Sequence, residues 1–176
     1  MIHIEYHGDI VTLSPFLRET ENVITEVERT MHIAIIAYDG KKELAAQFCT
    51  AYAGILRKHD LCATGRTGAF LLGHTDIPVK LYMNGAQGGL QQIGARIKRG
   101  EIDMMLFFAD PDGNTFNRDA AYLSGLCCRS NIPFAVNSAT AEALLLALDR
   151  GDLDWREAMK GNRDLTPNAR DFLCPL

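Results

Sequence analysis

Ala63-Thr64-Gly65-Arg66-Thr67-Gly68 joins a short apolar run, Leu61-Cys62-Ala63, to a helix-like run, Ala69-Phe70-Leu71-Leu72. It reads as the junction between a strand and the helix that follows it. Two glycines relax the backbone where a side chain would clash, and two threonines and an arginine supply donors. Backbone N–H groups at such a junction form an anion cradle, aided by the helix dipole, so a phosphate is one candidate occupant. An ordinary Gly-containing turn is the other reading of the same six residues.

Outward from this junction the pattern repeats. Ile33-Ala34-Ile35-Ile36-Ala37 is wholly apolar, as expected of a strand buried on both faces, and a helix is predicted over 41–58. Val79–Met83, Ile102–Ala109 and Ile132–Val136 are the later strands, with helices predicted over 90–99, near 118–130 and over 140–148. Strand and helix alternate five times, which predicts an α/β domain with a parallel sheet covered by helices on both sides. Ligands of such sheets bind beyond the carboxyl ends of the strands. Four loops follow strands and converge there: Tyr38-Asp39-Gly40, the Thr/Gly stretch, Asn84–Gly89 and Asp110–Asn117. That convergence strengthens the phosphate reading.

The flanks differ. Residues 1–30 predict a hairpin followed by a helix, an added flap or oligomer arm, with the regular domain over 31–150. Residues 151–176, with Trp155 and a Pro-containing end, form a polar tail in which no chemistry is evident. The chain has 176 residues, 47% of them hydrophobic and 23% charged, an ordinary composition for one globular domain. A net charge of −4 argues against nucleic acid as a partner. No run reaches the length of a membrane span and no signal peptide opens the sequence, so a cytoplasmic location is expected. Cys49, Cys62, Cys127, Cys128 and Cys174 show no metal-ligand spacing and read as reduced thiols, with neighbouring Cys127 and Cys128 on different faces of a helix. Neither a metal nor a cofactor is expected.

Several linked motifs then occur in order: Ala37-x-Asp39-x-x-Lys42, Ala63-Thr64-Gly65-x-Thr67-Gly68, Gly85-x-x-Gly88-Gly89-x-Gln91-Gln92-x-Gly94, Phe107-Phe108-x-Asp110-Pro111, and Asn131-Ile132-Pro133-x-Ala135-x-Asn137-x-Ala139-Thr140-Ala141. Over residues 31–150 the chain resembles the methylglyoxal synthase family. The resemblance implies a three-layer α/β/α domain, a five-stranded parallel sheet of order 3-2-1-4-5, and a homo-oligomer, usually a hexamer. It implies a carbon–oxygen lyase that converts dihydroxyacetone phosphate through an enediol phosphate to methylglyoxal and phosphate. By position, Lys42, Thr64, Thr67 and Gly85, with neighbouring Asn84, would hold the phosphate, and Asp39 and Asp110 would line the site.

The departures are concentrated in the proton chemistry. The family's base is an aspartate at the position of Leu90, and loss of a positioned base costs about 10²–10⁴ in rate. Leu90, Ile93 and Ile97 share a helical face, so Leu90 also reads as a packing residue. Tyr38 and Asn117 stand where the family has histidines, and neither titrates near neutrality. Arg66 replaces a threonine and would either grip phosphate oxygens or point to solvent or to an acid on another subunit. Asp39 and Asp110 would rescue catalysis if proximity raised the pKa of one of them. Otherwise Asp39 caps its helix and Asp110 fixes its own loop. The expectation is a domain that binds a small phosphorylated metabolite or inorganic phosphate with elimination weakened or lost, the alternative being an active synthase using Asp39 or Asp110.

Overall fold

The computed structural model describes residues 30–111 and 116–153. The predicted N-terminal hairpin and helix, the loop residues 112–115 and the tail with Trp155 and Cys174 lie outside the described residues.

Five strands form one parallel sheet: β1 (His32–Ala37), β2 (Asp60–Ala63), β3 (Val79–Leu81), β4 (Met104–Phe108) and β5 (Phe134–Ala135). Their order is β3-β2-β1-β4-β5, as the family likeness implies. In register, Ile35 faces Ala63 of β2 on one side and Leu106 of β4 on the other. The three central strands carry the uninterrupted apolar runs because each is covered on both faces.

Alternation along β1 divides the core. Ile33, Ile35 and Ala37 pack with α1 (Lys42–Ala51), α3 (Gly65–His74) and α6 (Ser138–Asp149). Ala34 and Ile36 pack with α4 (Gly89–Lys98) and α5 (Phe116–Arg129). These are the two helical layers. The single helix predicted over 41–58 is in fact a 3-10 turn at Asp39–Lys41, then α1, then the short α2 (Ala53–Leu56). The break falls at Tyr52, whose ψ of 20° leaves the helical region just before Ala53-Gly54. The edge strands are shorter than their apolar runs, since each has a partner on one side only. Among the described residues, no helix is long and apolar enough to cross a membrane.

The junction glycines stand where a side chain would clash, as read from the sequence. Neither Gly65 nor Gly68 has positive φ. A Cβ at Gly68 would lie 2.2 Å from Leu81 Cδ2, and one at Gly65 would lie 2.9 Å from the Tyr82 carbonyl oxygen. Close approach of α3 to β3 requires glycine here. Gly88 (φ 103°) is where a left-handed turn demands it, immediately before α4.

Candidate functional site

The carboxyl ends of β1, β2, β3 and β4 open into a cavity of about 790 Å³. Its wall includes Tyr38, Asp39, Lys42, Thr64, Arg66, Thr67, Asn84, Gly85 and Leu90, so nine of the residues singled out from the sequence meet in one place. Asp110 is not on the wall. Its Oδ2 lies 3.6 Å from where a Cβ of Gly40 would sit, so it packs beside that glycine. Asn117 belongs to α5, and its side chain lies outside the described residues.

Thr67 is buried and its hydroxyl is committed to the framework. Oγ1 donates to the Ala37 carbonyl at 3.1 Å, and it accepts from the Ala37 N–H at 3.2 Å and from Thr64 Oγ1 at 3.1 Å. The cause is the end of a ladder. Ala63 is the last residue of β2 paired with β1, so Ala37 has no strand partner on that side, and Thr67 takes both of its backbone groups. Thr64 has likewise used its only hydroxyl proton. In this arrangement the two threonine hydroxyls latch α3 onto β1, while both residues also line the cavity. No side chain caps the ten-residue α3; in its first turn the Gly65 N–H donates to the Met83 carbonyl at 3.0 Å and the Gly68 N–H to the Thr64 carbonyl at 2.8 Å.

The cations are also engaged. Lys42 Nζ lies 2.5 Å from Asp39 Oδ1, and Arg66 Nη1 donates to Asp39 Oδ2 at 3.1 Å. Arg66, whose side chain is 68% exposed, shares a carboxylate of its own chain with Lys42. The hydrogen bond from Lys42 is the largest influence on the Asp39 carboxyl; burial opposes it, the Lys42 and Arg66 charges add to it, and the net effect holds the group below the ordinary aspartate range. The raised pKa that would make Asp39 a base is replaced by a lowered one. Asp39 makes no side-chain cap to its helix either, because its oxygens face these two cations.

Leu90 is half-buried. It packs beside the cluster of Ile93, Ile97 and Phe107, and its Cγ lies 4.0 Å from where a Cβ of Gly85 would sit, while its side chain also lines the cavity. Tyr38 rests on Phe107 with ring centroids 5.5 Å apart, and Phe107 stacks on Phe134 at 6.1 Å. One wall of the cavity is therefore hydrocarbon and aromatic.

Arg118 and Asp119, in the first turn of α5, complete the lining and escaped the sequence reading. Tyr38 Oη donates to Asp119 Oδ2 at 3.0 Å, and Arg118 Nε lies 3.4 Å from Asp119 Oδ1. The Asp119 side chain is 14% exposed, against 69% for Asp39. An acid in the first turn of a helix looks like dipole compensation in sequence, and no motif extended to it.

Comparison with known proteins gives the same picture. Residues 45–136 match the model of the MGS-like domain. The chain is 48% identical over 142 residues to a methylglyoxal synthase of Caldicellulosiruptor saccharolyticus, covering 80% of this chain and 99% of the relative. It is 44% identical over 135 residues to a methylglyoxal synthase of Oceanobacillus iheyensis, covering 76% of this chain and 96% of that one. The crystal structure of a methylglyoxal synthase from Elizabethkingia anophelis superposes with a TM-score of 0.58 at 37% identity, over 66% of this chain and 77% of its own. At 48% and 44% identity over 99% and 96% of these two curated relatives, the chain belongs to the methylglyoxal synthase family.

Proposed function

We propose that the cavity binds a small phosphorylated metabolite of the dihydroxyacetone phosphate kind, and that elimination of phosphate from it is weak or lost. The observation that carries this reading is Leu90, a hydrocarbon side chain on the cavity wall at the position where the family resemblance places the base. Lys42, Arg66 and the uncapped start of α3 supply anion binding. The elimination needs more: a proton must leave carbon next to the carbonyl before the C–O bond to phosphate breaks. Leucine accepts no proton. Asp39 is held in its ionised form by two cations, which weakens it as a base. The competing reading is an active synthase with Asp39 or Asp110 as base, and it draws on the place of Asp39 in the same wall. The homo-oligomer implied by the family belongs to the proposal and is checked by light scattering.

The test is phosphate release from dihydroxyacetone phosphate by the purified full chain. Turnover far below about 10 per second, the median for enzymes, is the expected result. Leu90→Asp should raise it by about 10² or more. Unmodified protein turning over at the enzymatic median would overturn the proposal in favour of the active synthase.

A further inference from the structure

A second cavity, of about 470 Å³, is bounded by Arg96 of α4 and by the starts of β1, β2 and β3, and it shares no lining residue with the first. The register explains its polarity. His32 pairs with Asp60, and Cys62 pairs with Ala34 on one side and Lys80 on the other, so these side chains share the sheet face that α4 and α5 cover further in. No residue of β3 joins the apolar cluster under those two helices. The sheet is therefore left open over β2 and β3, with His32, His59, Asp60, Cys62, Lys80 and Arg96 around the opening. From this we infer that the second cavity is a binding site for a small oxyanion, held by Lys80 and Arg96 together with the two imidazoles.

The donors outnumber the acceptors. Lysine and arginine only donate, and Asp60 is the one carboxylate on the wall. Lys80 is exposed and, among the described residues, forms no ion pair. Arg96 is held in place by its neighbours: Nη1 donates to the Tyr82 hydroxyl, and the guanidinium carbon lies 5.6 Å from the centre of that ring. The charges of Lys80 and Arg96 both bear on the buried Cys62 thiol, so the two cations act on one region. The Met31 N–H donates to His59 Nδ1 at 3.4 Å, which puts the proton of the neutral ring on Nε2 and makes that nitrogen a donor. Among the described residues two side-chain nitrogens are buried without a hydrogen-bond partner, His32 Nδ1 and Arg96 Nε, and both belong to residues of this cavity. Asp60 Oδ2 lies 3.4 Å from the first and Glu101 Oε2 lies 2.9 Å from the second, near enough for attraction but out of line for a hydrogen bond. Buried polar atoms are ordinarily satisfied, and an exception is a mark of an ion or water held nearby. An oxyanion brings several acceptor oxygens on one small body, which is the chemistry that such a ring of donors lacks.

Proton NMR of the five histidine rings reads the site directly, with signals assigned through His32→Gln and His59→Gln. The full chain is titrated with sodium sulfate and, at matched ionic strength, with sodium chloride. The His32 and His59 signals should move saturably with sulfate and not with chloride, while that of His74, on the far face in α3, stays in place. Lys80→Ala, a change at an exposed position that leaves the fold intact, should weaken the sulfate response about tenfold, the effect of one hydrogen bond to a charged group. Lys42→Ala, which disables the first cavity, should leave it within about twofold. The same movement in sulfate and chloride, a response that Lys80→Ala leaves unchanged, or one that Lys42→Ala abolishes would each overturn the inference. The phosphate reading of the first cavity stands or falls separately, since its residues are not reported by these rings.

Discussion

Replacing Asp39 with asparagine should tighten the binding of inorganic phosphate, although Asp39 lies within the binding site. Its carboxylate is already the counter-ion of Lys42 and Arg66, at 2.5 and 3.1 Å. A phosphate reaching the far side of those cations would lie about 6 Å from the carboxylate, the sum of two charge-assisted contacts. At that separation a doubly charged phosphate and a carboxylate repel by about 1.4 kcal/mol in a water-like dielectric, and physiological salt roughly halves the figure. Relief of about 0.7–1.4 kcal/mol corresponds to about three- to tenfold tighter binding. Asparagine keeps the shape and one oxygen for Lys42.

The pH dependence has a definite sign. The folded pKa of Asp39 is depressed, so its ion pairs are present above the unfolded value and lost as pH falls through the folded one. The difference between wild type and variant should shrink to about half as phosphate takes up its second proton between neutral and mildly acidic pH, and close fully only below the ordinary aspartate value of about 3.9. Titration calorimetry near neutrality at two salt concentrations is the assay, with the gap narrowing at the higher one. Equal or weaker binding by the asparagine variant would refute the reasoning, because Asp39 would then be holding Lys42 and Arg66 in place rather than competing with the ligand.

Thr67→Val should orphan the Ala37 N–H and C=O, at about 1–3 kcal/mol for each group, whereas Thr67→Ser keeps the hydroxyl and should lose less than about 1 kcal/mol; urea unfolding separates the two. A Cβ at Gly89 would lie 2.0 Å from the Met83 carbonyl oxygen, so Gly89→Ala should lower stability by about 1–3 kcal/mol. Gly73, helical with open space around it, should gain about 0.5–1 kcal/mol as alanine, and both changes are read from thermal melts. Burial pushes the thiols of Cys49 and Cys127 up to about 12 and that of Cys62 up to about 11. In a Cys174→Ser background, thiol labelling of the native chain should therefore stop at Cys128, the exposed one, and a Cys128→Ser change should remove the fast phase.

The central strands were legible because burial on both faces writes itself as an unbroken apolar run, as in Ile33–Ala37 and Met104–Phe108. The order of the strands was not written in that way; periodicity supplies five alternations, and only the likeness to a known family supplies 3-2-1-4-5. The helix break at Tyr52 was invisible because Ala51 and Ala53 on either side are good helix formers. Gly65 and Gly68 were recognisable as necessary, but what a side chain there would strike was not: Leu81 and Tyr82, which forbid a Cβ at these positions, are more than ten residues away in sequence. Thr67 shows the same limit. Its hydroxyl looks like a ligand donor until the pairing of β1 with β2 is seen to stop at Ala63 and leave Ala37 to be satisfied. Asp110 drew attention through its motif with Pro111, while Asp119, nine positions on, is the acid that the fold turns toward Tyr38.

Three jobs are divided among the polar groups around this cavity, and the division bears on what the chain can do. The threonine hydroxyls serve the framework, so on the proposed reading anion binding would fall to Lys42, Arg66 and main-chain N–H groups, with Asp39 as their competitor. Asp119 is bound to Tyr38, away from that ion-pair cluster. Asp39 is held below the ordinary aspartate range by its cations and Asp119 is engaged by Tyr38 and Arg118, while a half-buried position on the same wall holds Leu90. A carboxyl group there would be partly desolvated, and desolvation raises a carboxyl pKa toward the range in which it works as a base near neutrality. On the proposed reading, binding and proton removal would be controlled by different side chains, and a change at position 90 should alter turnover without first dismantling the anion site.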